Sequence, residues 1–390
     1  MPLDEKWSPE GGQRCLDALI IAVNQHSSDA WYVSTLELQL ASTQLCLVCR
    51  SFSTLAVRVR EDTPRYLWAT SSRRSGPANM PSLRALGLKW EMPASLSFEM
   101  IGTELVRSLQ KLDLCQSSSS SVERVVWPAG LKRLELSGRF NEQVDQVAWP
   151  SSLQHLALGN RFNRPIAGVR WPVSLKRLVF GDAFNQSMSN FVSPLELEFL
   201  KFGKSFNQPL NGVALPISLK HLELGDRFNK RIKEGAWPSN LETLVFGYYF
   251  NQPIAGVVWP LALMELYFGV SFDQSLVAVE FSPCLERLVF KSLRQPIHGV
   301  AWPDSLKELS VGCLFNQPLD DVVWPASLES LDLGDSFNQP LAGVFWPGSL
   351  KSLKVGFSFR QSLEGVVWPQ SLRDLQGVDT KQRRLFQLLK

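Results

Sequence analysis

The sequence predicts a repeat solenoid: about thirteen stacked 22-residue turns with a parallel β-sheet face, preceded by a small α-helical N-terminal domain. The first observation behind this is a fixed period. Leucine recurs at Leu109, Leu131, Leu153, Leu175, Leu197, Leu219, Leu241, Leu263, Leu285, Leu306, Leu328, Leu350 and Leu372, 22 residues apart except for 21 between Leu285 and Leu306. A period of this length marks turns of chain piled on one another. The second is the pattern within a copy, clearest from Leu241 to Pro260. Counting the recurring leucine as position 0, apolar residues at 0, +3 and +5 bracket a short strand, in which side chains two apart share a face. The third is a change of texture near residue 78, ahead of which no such period runs.

Residues 1–78 read as helical with a linker. Gln13 to Asn24 carries Leu16, Leu19, Ile20 and Val23 at amphipathic spacing. Ser34 to Glu37 has the form of a capping box, and Leu38, Leu45, Val48, Phe52 and Leu55 come after it near one helical face. Arg58 to Arg74 is basic and turn-prone, as a linker would be. Residues 79–108, around Leu83 to Leu88, form an irregular N-terminal capping turn, and residues 109–378 are the solenoid. A basic C-terminal helix over 379–390, with Leu385, Leu388 and Leu389, closes the far end.

Each kept residue of a copy has a physical task. Glycine at +6 (among others Gly181, Gly203 and Gly247) ends the strand where backbone turns sharply or passes close. Phenylalanine at +9 fills the turn. Asparagine at +10 (Asn141, Asn163, Asn185, Asn207, Asn229, Asn251, Asn316 and Asn338) both donates and accepts, so stacked copies make a ladder. Apolar residues at +13 and mostly at +16 complete the interior, and Trp-Pro closes the turn on the convex side. The conformation between strand and Trp-Pro, helical or extended, is left open by this pattern.

Composition removes several classes of function. A net charge of +3 argues for neither a nucleic-acid nor a membrane partner, and no apolar run reaches the length that spans a bilayer. The start lacks the order of a signal peptide, and six cysteines outside the register form no disulfide framework, which sets a cytosolic or nuclear expectation. Cys46 and Cys49 stand without a second pair and the four histidines are dispersed, so no metal and no cofactor is expected. Asp113 and Glu135, both at +4 on adjacent turns, are the nearest thing to a catalytic carboxylate pair, and Lys111 and Arg133 stand diagonally to neutralise them. No catalytic residue is assigned.

The repeated Phe-Asn-Gln-Pro-Leu and Phe-Asn-Gln-Pro-Ile cores, placed after Leu-x-x-Leu-x-[Leu/Phe/Val]-Gly, resemble the FNIP repeat, a relative of the leucine-rich repeat. The resemblance covers roughly residues 109–378. Asp273, Arg294 and Arg360 depart from it at the asparagine site, where the ladder is expected to be interrupted or kinked. Leu45 to Ala56, with Val48-Cys49-Arg50 and Phe52, resembles the second half of an F-box, although the Leu-Pro opening of that motif is absent. This second resemblance implies that Leu45, Val48, Phe52 and Leu55 meet a Skp-type adaptor, making the chain a target-holding subunit of a ubiquitin ligase.

One contrast points to a binding face. Skeleton positions barely change between copies, whereas the outward strand positions +2 and +4 change freely. In the middle of the stack they read His155, Arg177, Val179, Phe199, Lys201, His221, Glu223, Thr243, Val245, Glu265, Tyr267, Arg287 and Val289. Solenoids present such extended faces to partners, and arginine and aromatic residues are enriched where proteins bind one another. The expectation is a non-enzymatic protein-interaction solenoid. The alternative from another class is a β-helix-like enzyme or binder of carbohydrate, which needs carboxylates clustered on neighbouring turns.

Overall fold

The computed structural model describes residues 36–41, 54–61, 63–71, 83–88, 110–113, 122–123, 125, 127–136, 138–232 and 237–389. The chain divides into two compact units, Met1–Ser137 and Gly138–Lys390.

In the first unit β1 (Leu36–Ala41) runs parallel to β2 (Thr54–Glu61). β3 (Thr63–Ser71) is antiparallel to β2 and to β4 (Leu83–Leu88), and β4, β5 (Lys111–Asp113) and β6 (Arg133–Glu135) pair parallel in turn. The expected helical domain is not shown. Leu36–Ala41 and Leu55, read as ends of one helix, lie in strands, and so do most residues of the expected linker from Arg58. The sequence contains the reason: Leu36, Leu38 and Leu40 alternate with Glu37 and Gln39, as Val57 and Val59 do with Arg58 and Arg60, a period of two that overrides the capping box. Gln13 to Asn24 lies outside the described residues.

The second unit is a parallel β-solenoid of eleven coils. Its strands are β7 (His155–Ala157), β8 (Arg177–Val179), β9 (Phe199–Lys201), β10 (His221–Glu223), β11 (Thr243–Val245), β12 (Glu265–Phe268), β13 (Arg287–Phe290), β14 (Glu308–Ser310), β15 (Ser330–Asp332), β16 (Ser352–Lys354) and β17 (Asp374–Gln376). Each pairs parallel with the next, equivalent residues side by side. The other two of the thirteen expected strands are β5 and β6.

Among the described residues of the second unit no helix lies between the strands. The chain bends instead at β-turns, three of them in the coil of β9: Phe206 N–H to Gly203 O (3.2 Å), Val213 N–H to Leu210 O (3.1 Å) and Leu219 N–H to Pro216 O (3.0 Å). Residues between the turns belong to neither helix nor strand. The Trp-Pro pair thus precedes the third turn, where the proline carbonyl accepts the N–H of the next register leucine. Gly212 in the second turn has φ 77°, an angle that glycine adopts without penalty.

The interior is built by stacking. Register leucines from Leu153 to Leu372 are fully buried, as are most of the +3 leucines. Phenylalanines at +9 form a pile from Phe140 to Phe272 with ring centroids near 6 Å, as in Phe162–Phe184 at 5.9 Å and Phe250–Phe272 at 6.1 Å. Close approach at +6 explains the glycine there: a Cβ on Gly203 would sit 1.8 Å from the carbonyl oxygen of Gly181. At the far end α1 (Thr380–Leu389) opens with a reciprocal cap, Gln382 N–H to Asp379 Oδ1 at 2.7 Å and Asp379 N–H to Gln382 Oε1 at 3.0 Å. Phe386 packs edge-on against Trp368 at 5.4 Å, whereas Leu388, expected to seal this end, is exposed.

Candidate functional site: the strand face

The strands from β7 to β16 repeat one burial pattern: the central leucine is buried and its +2 and +4 neighbours are half-exposed. Strand pleating causes this, because alternate side chains leave opposite faces of the sheet. In-register pairing then lines equivalent positions into two files at the strand spacing of about 4.8 Å.

Along the +2 file three neighbouring coils form a tower. The guanidinium carbon of Arg177 lies 3.3 Å from the ring centroid of Phe199, and the imidazole of His221 stacks on the other side with centroids 4.4 Å apart. An arginine over an aromatic face is held by the ring quadrupole. His221 Nε2 meets Glu223 Oε1 at 3.1 Å, and Lys201 Nζ pairs with Glu223 Oε2 at 2.5 Å. The hydrogen bond from His221, with a further contribution from Lys201, outweighs the burial of Glu223 and holds its carboxyl down at about 2. Five side chains on three strands are therefore fixed by one another before any ligand arrives.

The next coils carry a different surface. Val245, Tyr267 and Val289 occupy adjacent +4 positions, flanked at +2 by Thr243, Glu265 and Arg287. The Tyr267 hydroxyl donates to Glu265 Oε2 at 3.0 Å, and burial together with that carboxylate pushes its pKa up. Arg287 pairs with Glu308 Oε2 at 2.6 Å. An aromatic ring between two valines, with charged residues beside it, has the make-up of an interface centre. His155 and Val179 extend the files on β7 and β8.

Beside these files runs a third that the sequence analysis overlooked. Position +1 alternates in sign, with Lys176 to Glu198 at 2.8 Å, Lys220 to Glu242 at 3.0 Å, Lys307 to Glu286 at 2.8 Å and Lys351 to Glu329 at 2.7 Å. Met264 separates Glu242 from Glu286. The signal lies in the aligned copies at +1, as an alternation of charge and not of hydrophobicity.

The +10 residues lie away from this face and serve the stack. Asn141 Oδ1 accepts the backbone N–H of Asn163 at 2.9 Å, and the same bond repeats through Asn185, Asn207, Asn229 and Asn251. Asp273 does not break the series: its N–H reaches Asn251 Oδ1, and its own carboxylate accepts the N–H of Arg294 at 2.9 Å. Arg294 cannot accept in turn, and there Gln317 Nε2 bonds the Arg294 carbonyl at 2.8 Å. The series resumes from Asn316 to Asn338 and ends on the N–H of Arg360. Glutamines at +11 supply a second set of rungs, such as Gln208 Nε2 to Asn185 Oδ1 at 3.1 Å, and serines before the register leucine a third, such as Ser218 Oγ to Leu197 O at 2.9 Å. Neither set was singled out from the sequence.

Of the expected adaptor contacts, Leu45, Val48 and Phe52 lie outside the described residues, and Leu55 stands in β2 opposite Leu36 and Ala69. The F-box therefore has no support. Glu135 is bonded by Arg133 of the same strand at 2.6 Å, which ties up one half of the carboxylate pair, and nothing found favours carbohydrate chemistry. Among the described residues no cluster of metal-ligating side chains occurs, and no helix is long and apolar enough to cross a membrane.

Comparison with known proteins agrees with the repeat. The chain carries FNIP repeats: residues 162–205, 206–249, 228–271, 295–336, 315–356 and 337–376 match the FNIP Repeat family. The matches skip residues 272–294, the stretch that holds Asp273, Arg294 and the shortened turn. No curated protein matches the chain. Among solved structures it is similar to CroV588, described as a novel circular LRR protein, with 36% identity, a TM-score of 0.58 and coverage of 69% of this chain. The chain spans only 43% of the length of CroV588. An internalin from Listeria monocytogenes shares the fold at 16% identity and a TM-score of 0.50, over 75% of this chain and 86% of that one.

Proposed function

We propose that the strand face between β7 and β13 binds a protein partner, with no chemistry performed on it. The observation that carries this reading is the paired composition of the face. The pre-stacked Arg177, Phe199 and His221 tower stands one coil from the apolar Val245, Tyr267 and Val289 group, on a solenoid whose skeleton positions repeat almost unchanged. Side chains already fixed lose little freedom on binding, so more of the contact energy appears as affinity. Leucine-rich-repeat solenoids are typically interaction scaffolds, which supports the same reading.

The test is a pull-down with mass spectrometry comparing the full chain with Phe199→Ala/Tyr267→Ala. Partners retained by the wild type and lost by the variant support the face as the site. An unchanged set of partners, with the variant folded, would remove it. A finer reading adds a Skp-type adaptor at Leu45, Val48, Phe52 and Leu55 and makes the bound protein a target for ubiquitination. It rests on the sequence resemblance alone, and failure of purified adaptor to bind the full chain ends it.

A further inference from the structure

Asn211 is the one asparagine of the chain that precedes a glycine. It stands at +14, in the second turn of the β9 coil, where Ala167, Ala255 and Ala342 precede the glycine of other coils. Leu210 O accepts Val213 N–H across the turn, and the positive φ of 77° falls on Gly212 and not on Asn211, so the turn is of type II. Both residues are exposed, and a Cβ on Gly212 would meet nothing within 4 Å. Among the described residues nothing bonds the Asn211 amide or the Gly212 N–H. The ladder asparagines are held by contrast. Asn207, four residues earlier, has its Oδ1 on the N–H of Asn229 and is followed by Gln208, whose side chain bonds Asn185.

This turn also has the thinnest support. Position +16 is buried on coil after coil, as at Val169, Phe191, Val257 and Val279, whereas Val213 is only half-buried. The cause is a gap in the tryptophan file at +18. Trp237 stacks on Trp259 with centroids 6.5 Å apart, but Ser193 and Leu215 replace tryptophan on the coils of β8 and β9. A side chain short of neighbours forfeits contacts, so the turn that it anchors opens at less cost.

We propose that Asn211 is a modification site, laid open to reaction by that gap. Hydroxide takes the Gly212 amide proton, and the nitrogen attacks Asn211 Cγ. The new N–Cγ bond closes a succinimide ring, while the Cγ–Nδ2 bond breaks and the nitrogen leaves as ammonia, taking a proton from water. Water then opens the ring at either carbonyl, giving aspartate or isoaspartate. No other reactant is needed. Glycine matters because a side chain at residue 212 would crowd the attack. The ring cannot close at the type II ψ of about 120°, so Asn211 must first swing out of the turn, which the loose packing at Val213 permits. The product carries a carboxylate in place of an amide, and isoaspartate adds one carbon to the main chain of the turn.

Peptide mapping of the aged, folded chain tests this. Asn207 and Asn211 share the tryptic fragment 205–220, and conversion is expected an order of magnitude faster at Asn211. The rate should climb steeply with pH, because a proton must be removed, and a purified isoaspartyl methyltransferase should label the same fragment. Asn211→Ala, the residue of three other coils, should abolish both signals. Leu215→Trp, which refills the gap, is expected to slow conversion severalfold with unchanged circular dichroism. A folded chain that keeps Asn211 intact while the isolated fragment 205–220 converts overturns the proposal, because the turn then protects the residue. A folded Leu215→Trp variant that converts at the wild-type rate overturns the role given to the gap.

Discussion

The coil of β13 and the six coils from β7 to β12 obey the same strand register, yet the former lacks one residue in its first turn. In the regular coils a glycine ends the strand, a turn comes next, and a phenylalanine fills it. In the short coil Lys291 takes the glycine position and Leu293 takes the place of phenylalanine, interrupting the ring pile between Phe272 and Phe315. The backbone compensates: Ser292 bridges to Gly312, Leu293 N–H reaches Val311 O at 3.1 Å, and Cys313 N–H reaches Lys291 O at 2.9 Å. Meanwhile β12, β13 and β14 pair without a shift. The sheet fixes each coil, and the first turn absorbs a deletion without disturbing the strand face.

That comparison breaks most sharply at glycine. Gly203→Ala places a methyl group against the carbonyl of Gly181, and a loss of about 3 kcal/mol or more is expected in denaturant melts. Lys291→Ala, at the same register position of the short coil, is expected to change stability by less than about 0.5 kcal/mol. Equal losses at both sites would show that the short coil is packed as tightly as the others.

The asparagine rungs give the next largest effect, of opposite sign in the two regions. Asn251→Ala removes the acceptor for Asp273 N–H and Gln274 Nε2, costing about 1–2 kcal/mol. Arg294→Asn restores an acceptor in the short coil, and a gain of about 1 kcal/mol in the same melts would show that the missing rung is the weak point.

On the strand face, which both regions share, Glu223 supplies a pH test. Its carboxyl is held below the ordinary value of 4.5, at about 2, so it contributes stability that is fully present above pH 4.5 and lost as pH falls toward 2. Glu223→Gln should therefore destabilise by about 1 kcal/mol at neutral pH, a figure reduced for partial solvent exposure, with the difference fading below pH 4.5. A difference constant with pH would mean that charge is not what holds this cluster. The smallest effect is expected beside the short coil at Ala278, whose φ of 63° stands where other coils carry glycine. Ala278→Gly should gain up to about 1 kcal/mol, because relief of the left-handed strain exceeds the added freedom of the unfolded chain.

Much of the solenoid was legible because its contacts repeat at one separation. Once copies are aligned on Leu241, residues that touch across 22 positions stand in one column, and the leucine, glycine and phenylalanine columns each imply their own packing. The residues before 78 have no such alignment. There the capping box at Ser34 points to a helix while the alternation of Leu36, Leu38 and Leu40 points to a strand, and the period outweighs the motif. At the C-terminus Leu388 and Phe386 are equally apolar in sequence, and only the ring of Trp368 decides which is buried. The turns between strands stayed open because asparagine, glycine and proline favour a bend without dictating the conformation beyond it. The strand-face files were readable as positions, but the Arg177, Phe199 and His221 tower needs three coils seen together.

The alternating lysine and glutamate file has a consequence for how such a chain changes length. Its charges pair coil with coil, Lys176 with Glu198 and Lys220 with Glu242, so the chemical unit is two coils although the geometric unit is one. Removing one coil from the run would bring like charges together, whereas removing two leaves every pairing intact. Parity is thus written into the array, and the family matches at 162–205 and 206–249 each span one such doublet. Growth or shrinkage by an even number of windings is the change the molecule tolerates without rewriting its surface.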